Sequence, residues 1–177
     1  MAQQSVLRVH ADRRQRKTVI FHPMCHLDRH EGEAYQRLHG LTGRPVSGLD
    51  RLLTVGDLAA IGEPPAALLI ELPQRDLGGQ QPDWDDLRAQ LAWARSREPP
   101  RTLTAPGCGS RRPGTAKPPA EIAALFDTVY VSFYKGIGAL PGCCVVEAPR
   151  TSSPRCASGG SAWAARCSAS GRTPRRR

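Results

Sequence analysis

The chain predicts an α/β fold with a mostly parallel sheet, and three observations carry the prediction. Short runs rich in β-branched, aliphatic and aromatic residues stand at Thr18-Val19-Ile20-Phe21, at Ala66 to Leu72 and at Val129-Tyr130-Val131-Ser132-Phe133, each of strand length. Stretches with helical spacing separate them, an alternation that builds βα units and puts ligands at the carboxyl ends of the strands. At 177 residues with 40% hydrophobic content, the chain allows one domain, with apolar material for a core over part of its length.

Taken in order, Ala2 to Arg14 places Val6, Leu7, Val9 and His10 at helical spacing and ends in a basic cluster, so a helix leads into the strand Thr18 to Phe21. His26 to Leu38 reads as a second helix, and Val55 to Ile61 as a short one with Asp57 in its first turn. Ala66 to Leu72 (AALLIEL) is a continuous apolar run suited to a parallel strand covered on both faces. Asp83 to Arg97 is amphipathic, with Leu87, Leu91 and Ala94 on one stripe. Glu98 to Lys117 then breaks the pattern. Its run EPPRTLTAPGCGSRRPGTAK has no periodicity and several breakers, so a central strand is expected to be lost there, leaving its neighbours with unpaired edges.

Composition narrows the function classes. No run of eighteen apolar residues exists and the N-terminus lacks the apolar core of a signal peptide, so the expectation is a soluble cytoplasmic protein with no membrane partner. The six cysteines show no CxxC spacing, and free thiols are expected in place of a metal site. The net charge of +9 invites a nucleic-acid reading. Its distribution argues otherwise, because seven of those nine charges are arginines between Ala148 and Arg177, a stretch without any acidic residue. No specific nucleic-acid partner is expected. The competing reading of the tail is a basic, disordered polyanion binder without catalysis.

The residue best placed for chemistry is Lys135, which follows the strand Val129 to Phe133 directly before Gly136-Ile137-Gly138. A lysine in that low-dielectric position loses its proton more readily, and its neutral amine can attack a carbonyl. From position alone the commoner reading is a strand-end lysine whose ammonium reaches back to water.

Wider patterns shift that balance. The run PPAEIAALFDTVYVSFYKGIGALPGCC resembles the lysine-bearing segment of the threonine aldolase and aromatic amino acid β-eliminating lyase family. Glu71 to Gln80 with Trp84 to Leu87, and Cys25-His26-Leu27-Asp28-Arg29-His30-Glu31-Gly32, resemble two further family segments in the family's order. The resemblance implies a partial aspartate-aminotransferase-like large domain of fold type I over residues 1–147, with 98–117 as an aberrant insert and 148–177 as a basic, disordered low-complexity tail.

It also implies pyridoxal 5'-phosphate as cofactor and cleavage of a β-hydroxy-α-amino acid, with threonine to glycine and acetaldehyde as the model. Lys135 would bind the cofactor covalently and later move protons, while His26 would stack on its ring and assist the β-hydroxyl proton. Both are therefore candidate catalytic and cofactor-binding residues, with an amino acid as small-molecule substrate and a homo-oligomer as the expected assembly. His30 and His39 read as solvated or packing residues, Glu31 as a helix-face glutamate at a family acidic position, and Arg75 departs from the family pattern.

The family motif HLDGAR, with the aspartate that pairs with the ring nitrogen, is missing. GC-rich codons for Arg101 to Ser110, read one base earlier, spell HLDGARLWE, and the same shift from Thr151 onward spells DVVAQVREWRQRLGGTLFGLWPYA. Frameshifted translation is thus the expected origin of both aberrant stretches, with impaired activity as the consequence. Met1-Ala2-Gln3-Gln4 resembles residues that follow the family's phosphate-binding turn, so the chain is expected to be a fragment.

Overall fold

A computed structural model describes residues 2–98, 101–105, 117–133, 140, 142–148 and 164–166, the side chains of 105 and 164–166 excepted. It is an α/β layer structure around a seven-stranded sheet in the order β2-β1-β3-β4-β5-β6-β7. Strands β1 (Thr18–Phe21), β2 (Thr42–Pro45), β3 (Ala67–Glu71), β4 (Arg101–Ala105) and β5 (Thr128–Ser132) run parallel. β6 (Cys143–Glu147) pairs antiparallel with β5, and β7 (Ala164–Arg166) antiparallel with β6. A mostly parallel sheet is what the sequence predicts. Its centre is dry because both faces are covered: β3 is buried at every position.

Helix α1 (Ala2–Arg14) covers one face. It buries Gln3, Gln4, Leu7, His10 and Ala11, a stripe at helical spacing, against Val19, Phe21, Ala67 and Leu69. The other face packs under α4 (Val55–Ala59), α5 (Trp84–Ser96) and α6 (Pro119–Ala123), where Leu58, Leu87, Leu91 and Ile122 meet Ile20, Leu68, Ile70 and Leu103. Local signals explain the helix starts. Thr54 and Asp57 form a reciprocal capping box at α4, and the Asp83 side chain accepts the Asp86 N–H at the start of α5. Arg51 clamps Asp57 from outside; the guanidinium hydrogen bond holds that carboxyl far below the usual range, against the upward push of burial.

The structure departs from the sequence reading in three places. The helix expected from His26 to Leu38 is two short ones, α2 (His26–Arg29) and α3 (Ala34–Arg37). Gly32 and Glu33 both take φ of +56° between them, a left-handed turn that no continuous right-handed helix admits. The central strand expected to be lost is present: Leu68 to Glu71 pair with Arg101 to Thr104, and Thr102 to Ala105 with Thr128 to Val131. Arg-Thr-Leu-Thr-Ala supplies a β-branched, alternating run, and the open ladders on either side take its backbone groups. Finally, β7 lies inside the tail expected to be disordered. Apart from Ala148, the rest of that tail falls outside the described residues, as do Cys108, Cys156 and Cys167; Cys25 and Cys143 are free thiols.

No helix among the described residues is long and apolar enough to cross a membrane.

Candidate functional site

Parallel register puts the chemistry at the carboxyl ends of the central strands. Glu71 pairs with Thr104 and Thr104 with Tyr130, so the three share a face, and Ser132 follows on that face two residues later. It is the face under α1, because Thr128, two residues before Tyr130, meets His10 of α1 there at 3.2 Å. At this mouth of the sheet the lining turns from aliphatic to polar. Glu71, Thr104 and Ser132 are all buried, and the hydroxyls of Thr104 and Ser132 have no hydrogen-bond partner. On the α1 side, Gln4 is buried as well, donating its amide N–H to Glu31 while its Oε1 is left without a partner.

His26 opens α2 at the same mouth. Its backbone N–H donates to Glu71 Oε2 at 3.0 Å, its ring Nε2 lies 3.8 Å from Glu31 Oε1, and its ring stands 5.1 Å from that of His30. His30, expected to be solvated or packing, is exposed, and its Nε2 lies within hydrogen-bonding distance of Asp76 Oδ2, at 2.7 Å. The sequence thus singles out His26 but misses what holds it. Glu71 gave a signal only in hindsight, as the one charged residue in AALLIEL. Lys135, the other predicted site residue, lies outside the described residues; the described part of its segment carries β5 to Ser132 and on to Phe133.

A cleft with about 370 Å³ of empty space, partly open to solvent, lies against Glu71 and is walled by His22, Cys25, Leu53, Leu69 and Leu72. His22 is a fixed structural donor there. Its Nδ1 accepts the Met24 N–H at 3.0 Å, which leaves the proton on Nε2 to donate to the Arg51 carbonyl at 2.8 Å. Burial pushes the Cys25 thiol far above the range where a thiolate forms, so Cys25 is no nucleophile. No cluster of metal ligands occurs among the described residues.

Solved structures share this fold. The chain is 38% identical to a candidate L-allo-threonine aldolase from Listeria monocytogenes, over 82% of this chain and 40% of that one, with a TM-score of 0.78. It is equally 38% identical to a candidate aromatic amino acid β-eliminating lyase or threonine aldolase from Exiguobacterium, over 82% and 41%, at a TM-score of 0.74. The chain belongs to the threonine aldolase and β-eliminating lyase family. It spans about 40% of the length of these relatives. A threonine aldolase of Leishmania major, 19% identical over 73% of this chain and 40% of that one at a TM-score of 0.53, shares the fold. Neither a protein-family model nor a curated protein sequence matches the chain. In this family member, then, the fold-type I architecture stands as expected, and β4 carries Thr104 in register with Glu71.

Proposed function

We propose that the chain is the cofactor-binding part of a pyridoxal phosphate-dependent lyase that cleaves a β-hydroxy-α-amino acid, threonine being the model substrate. The observation that carries the reading is 38% identity to a candidate L-allo-threonine aldolase, together with His26 held at the mouth of the parallel sheet. A homo-oligomer is part of the same proposal.

The residues at the mouth suit a polar aromatic cofactor. Three buried polar atoms lack partners there, Gln4 Oε1, Thr104 Oγ1 and Ser132 Oγ, and each is a group whose burial costs free energy until a ligand bonds it. His26 would lie against the ring, Lys135 would attach it, and the hydroxyls would bond its edge. When bound, the cofactor withdraws the electrons of the bond being broken. That withdrawal would be strongest with the ring nitrogen protonated, which a carboxylate beside it would favour, whereas at the end of β4 Thr104 would offer only a neutral hydroxyl. The chain as it stands is therefore a binder with impaired chemistry.

The test is a titration of the expressed chain with pyridoxal phosphate, followed by visible absorbance, with Lys135→Ala alongside. A band in the parent that Lys135→Ala abolishes is expected, with threonine turnover near background. A band of equal strength in both proteins would refute the assignment of Lys135.

A further inference from the structure

We propose that Glu71 is the positioning residue for His26, fixing that histidine at the mouth of the sheet by accepting the first N–H of α2. The inference deepens the reading of His26 as a cofactor-facing residue and rests on it.

Glu71 ends β3 with only 7% of its surface exposed. A carboxylate so deep in an apolar strand is costly unless strong donors reach it, and charge-assisted N–H bonds are among the strongest available. One donor is the backbone N–H of His26, at 3.0 Å from Oε2. This bond does the work that a local cap does elsewhere. The N-cap of α2 is Cys25, whose side chain makes no capping bond, so the first N–H of the helix is satisfied from a strand 45 residues further along the chain.

A helix of four residues has almost no stability of its own and takes its orientation from such tertiary contacts. Its first residue is His26, so the Glu71 carboxylate sets where that ring begins. The ring is confined from a second side by Glu31, itself held by the Gln4 side chain of α1. Glu71 acts through the main chain of His26 and Glu31 near the ring, and removing Glu71 frees the whole α2 entry while leaving the Glu31 contact.

Two measurements test this on the full chain. Glu71→Met keeps the side-chain volume and loses the acceptor; Glu71→Gln keeps a neutral acceptor. In the unliganded protein, hydrogen exchange of the His26 amide is expected to quicken about tenfold in Glu71→Met and to return to within about threefold of the parent in Glu71→Gln. Pyridoxal phosphate affinity is expected to fall about tenfold in Glu71→Met and to recover in Glu71→Gln. Placed on His26→Ala, Glu71→Met is expected to weaken affinity no further, because the two act as one unit. Unchanged exchange of the His26 amide in Glu71→Met, or losses of affinity that simply add, overturns the proposal. A parent without any lysine-dependent band sinks the cofactor reading, and the exchange rates still decide whether Glu71 holds His26.

Discussion

Strands β3 and β4 lie side by side at the centre of the sheet, yet they teach opposite lessons. Both are parallel, and both deliver a polar residue to the same register position, Glu71 on β3 and Thr104 on β4. β3 reads as a strand from its sequence and ends in a carboxylate that bonds His26. β4 comes from a stretch without any strand pattern in its surroundings and ends in a buried hydroxyl with no partner. The ladder accepts any backbone of suitable propensity, because its bonds run between main-chain groups. The chemistry at the strand end depends on one side chain, which no ladder can supply. A central strand can therefore take its place in the fold whatever side chain it carries to its end.

The largest effects should come from testing whether the two strands are equal in the core. Leu68 of β3 and Leu103 of β4 are both buried in the same cluster. Leu68→Ala and Leu103→Ala should each lower stability by about 3 kcal/mol in urea denaturation. A loss below about 1 kcal/mol for Leu103→Ala alone would break the equivalence and remove β4 from the core.

The acid sensitivity of the α1 face sharpens the comparison next. Burial, helped by Arg13, lowers the His10 pKa from 6.5 to about 4, with Asp127 and Glu147 opposing. The folded state thus binds the proton more weakly than the unfolded one, so the neutral imidazole contributes its full stability above pH 6.5 and loses it as pH falls toward 4. The loss should amount to about 3 kcal/mol and should vanish in His10→Phe. Asp127 acts in a lower window. Burial alone would raise its pKa, the Arg101 side-chain and backbone hydrogen bonds outweigh it, and the net lowering below 3.8 makes that pair fail only in stronger acid. A pH–stability curve of His10→Phe that still falls between pH 6.5 and 4 would contradict this assignment.

The smallest effects separate the two threonines of β4. Thr102 shares a hydrogen bond with Thr128 at 2.9 Å, whereas Thr104 has none. Thr102→Val should cost about 1 kcal/mol in thermal denaturation, and Thr104→Val should be neutral or stabilising by a similar amount. Equal costs at the two positions would show that the Thr104 hydroxyl already has a partner.

The sequence was legible where a segment carried its own pattern. The run AALLIEL marks β3, the stripe Leu87, Leu91, Ala94 marks α5, and Asp83 and Thr54 mark helix starts. It was illegible where neighbours decide. In EPPRTLTAPG the five-residue alternation RTLTA is bounded by breakers, and its strand exists because β3 and β5 leave ladder groups on both sides. Likewise, the periodicity from His26 to Leu38 does not reveal the left-handed pair Gly32-Glu33, which cuts the helix in two. Of the site, His26 could be picked out by its motif, but not Glu71, because a glutamate at the end of an apolar run carries no mark of the residue it will meet.

By itself, then, the sequence determined the βα alternation, the family, and the histidine and lysine on which the proposed chemistry turns. Those properties are written in local spacing and residue type. Only the tertiary structure decided that Arg101 to Ala105 completes the sheet, that Thr104 stands in register with Glu71, and that Glu71 caps the helix beginning at His26. Each of these joins residues far apart in the chain, and a hydrogen bond formed across such a distance is chosen by the packing of the whole domain.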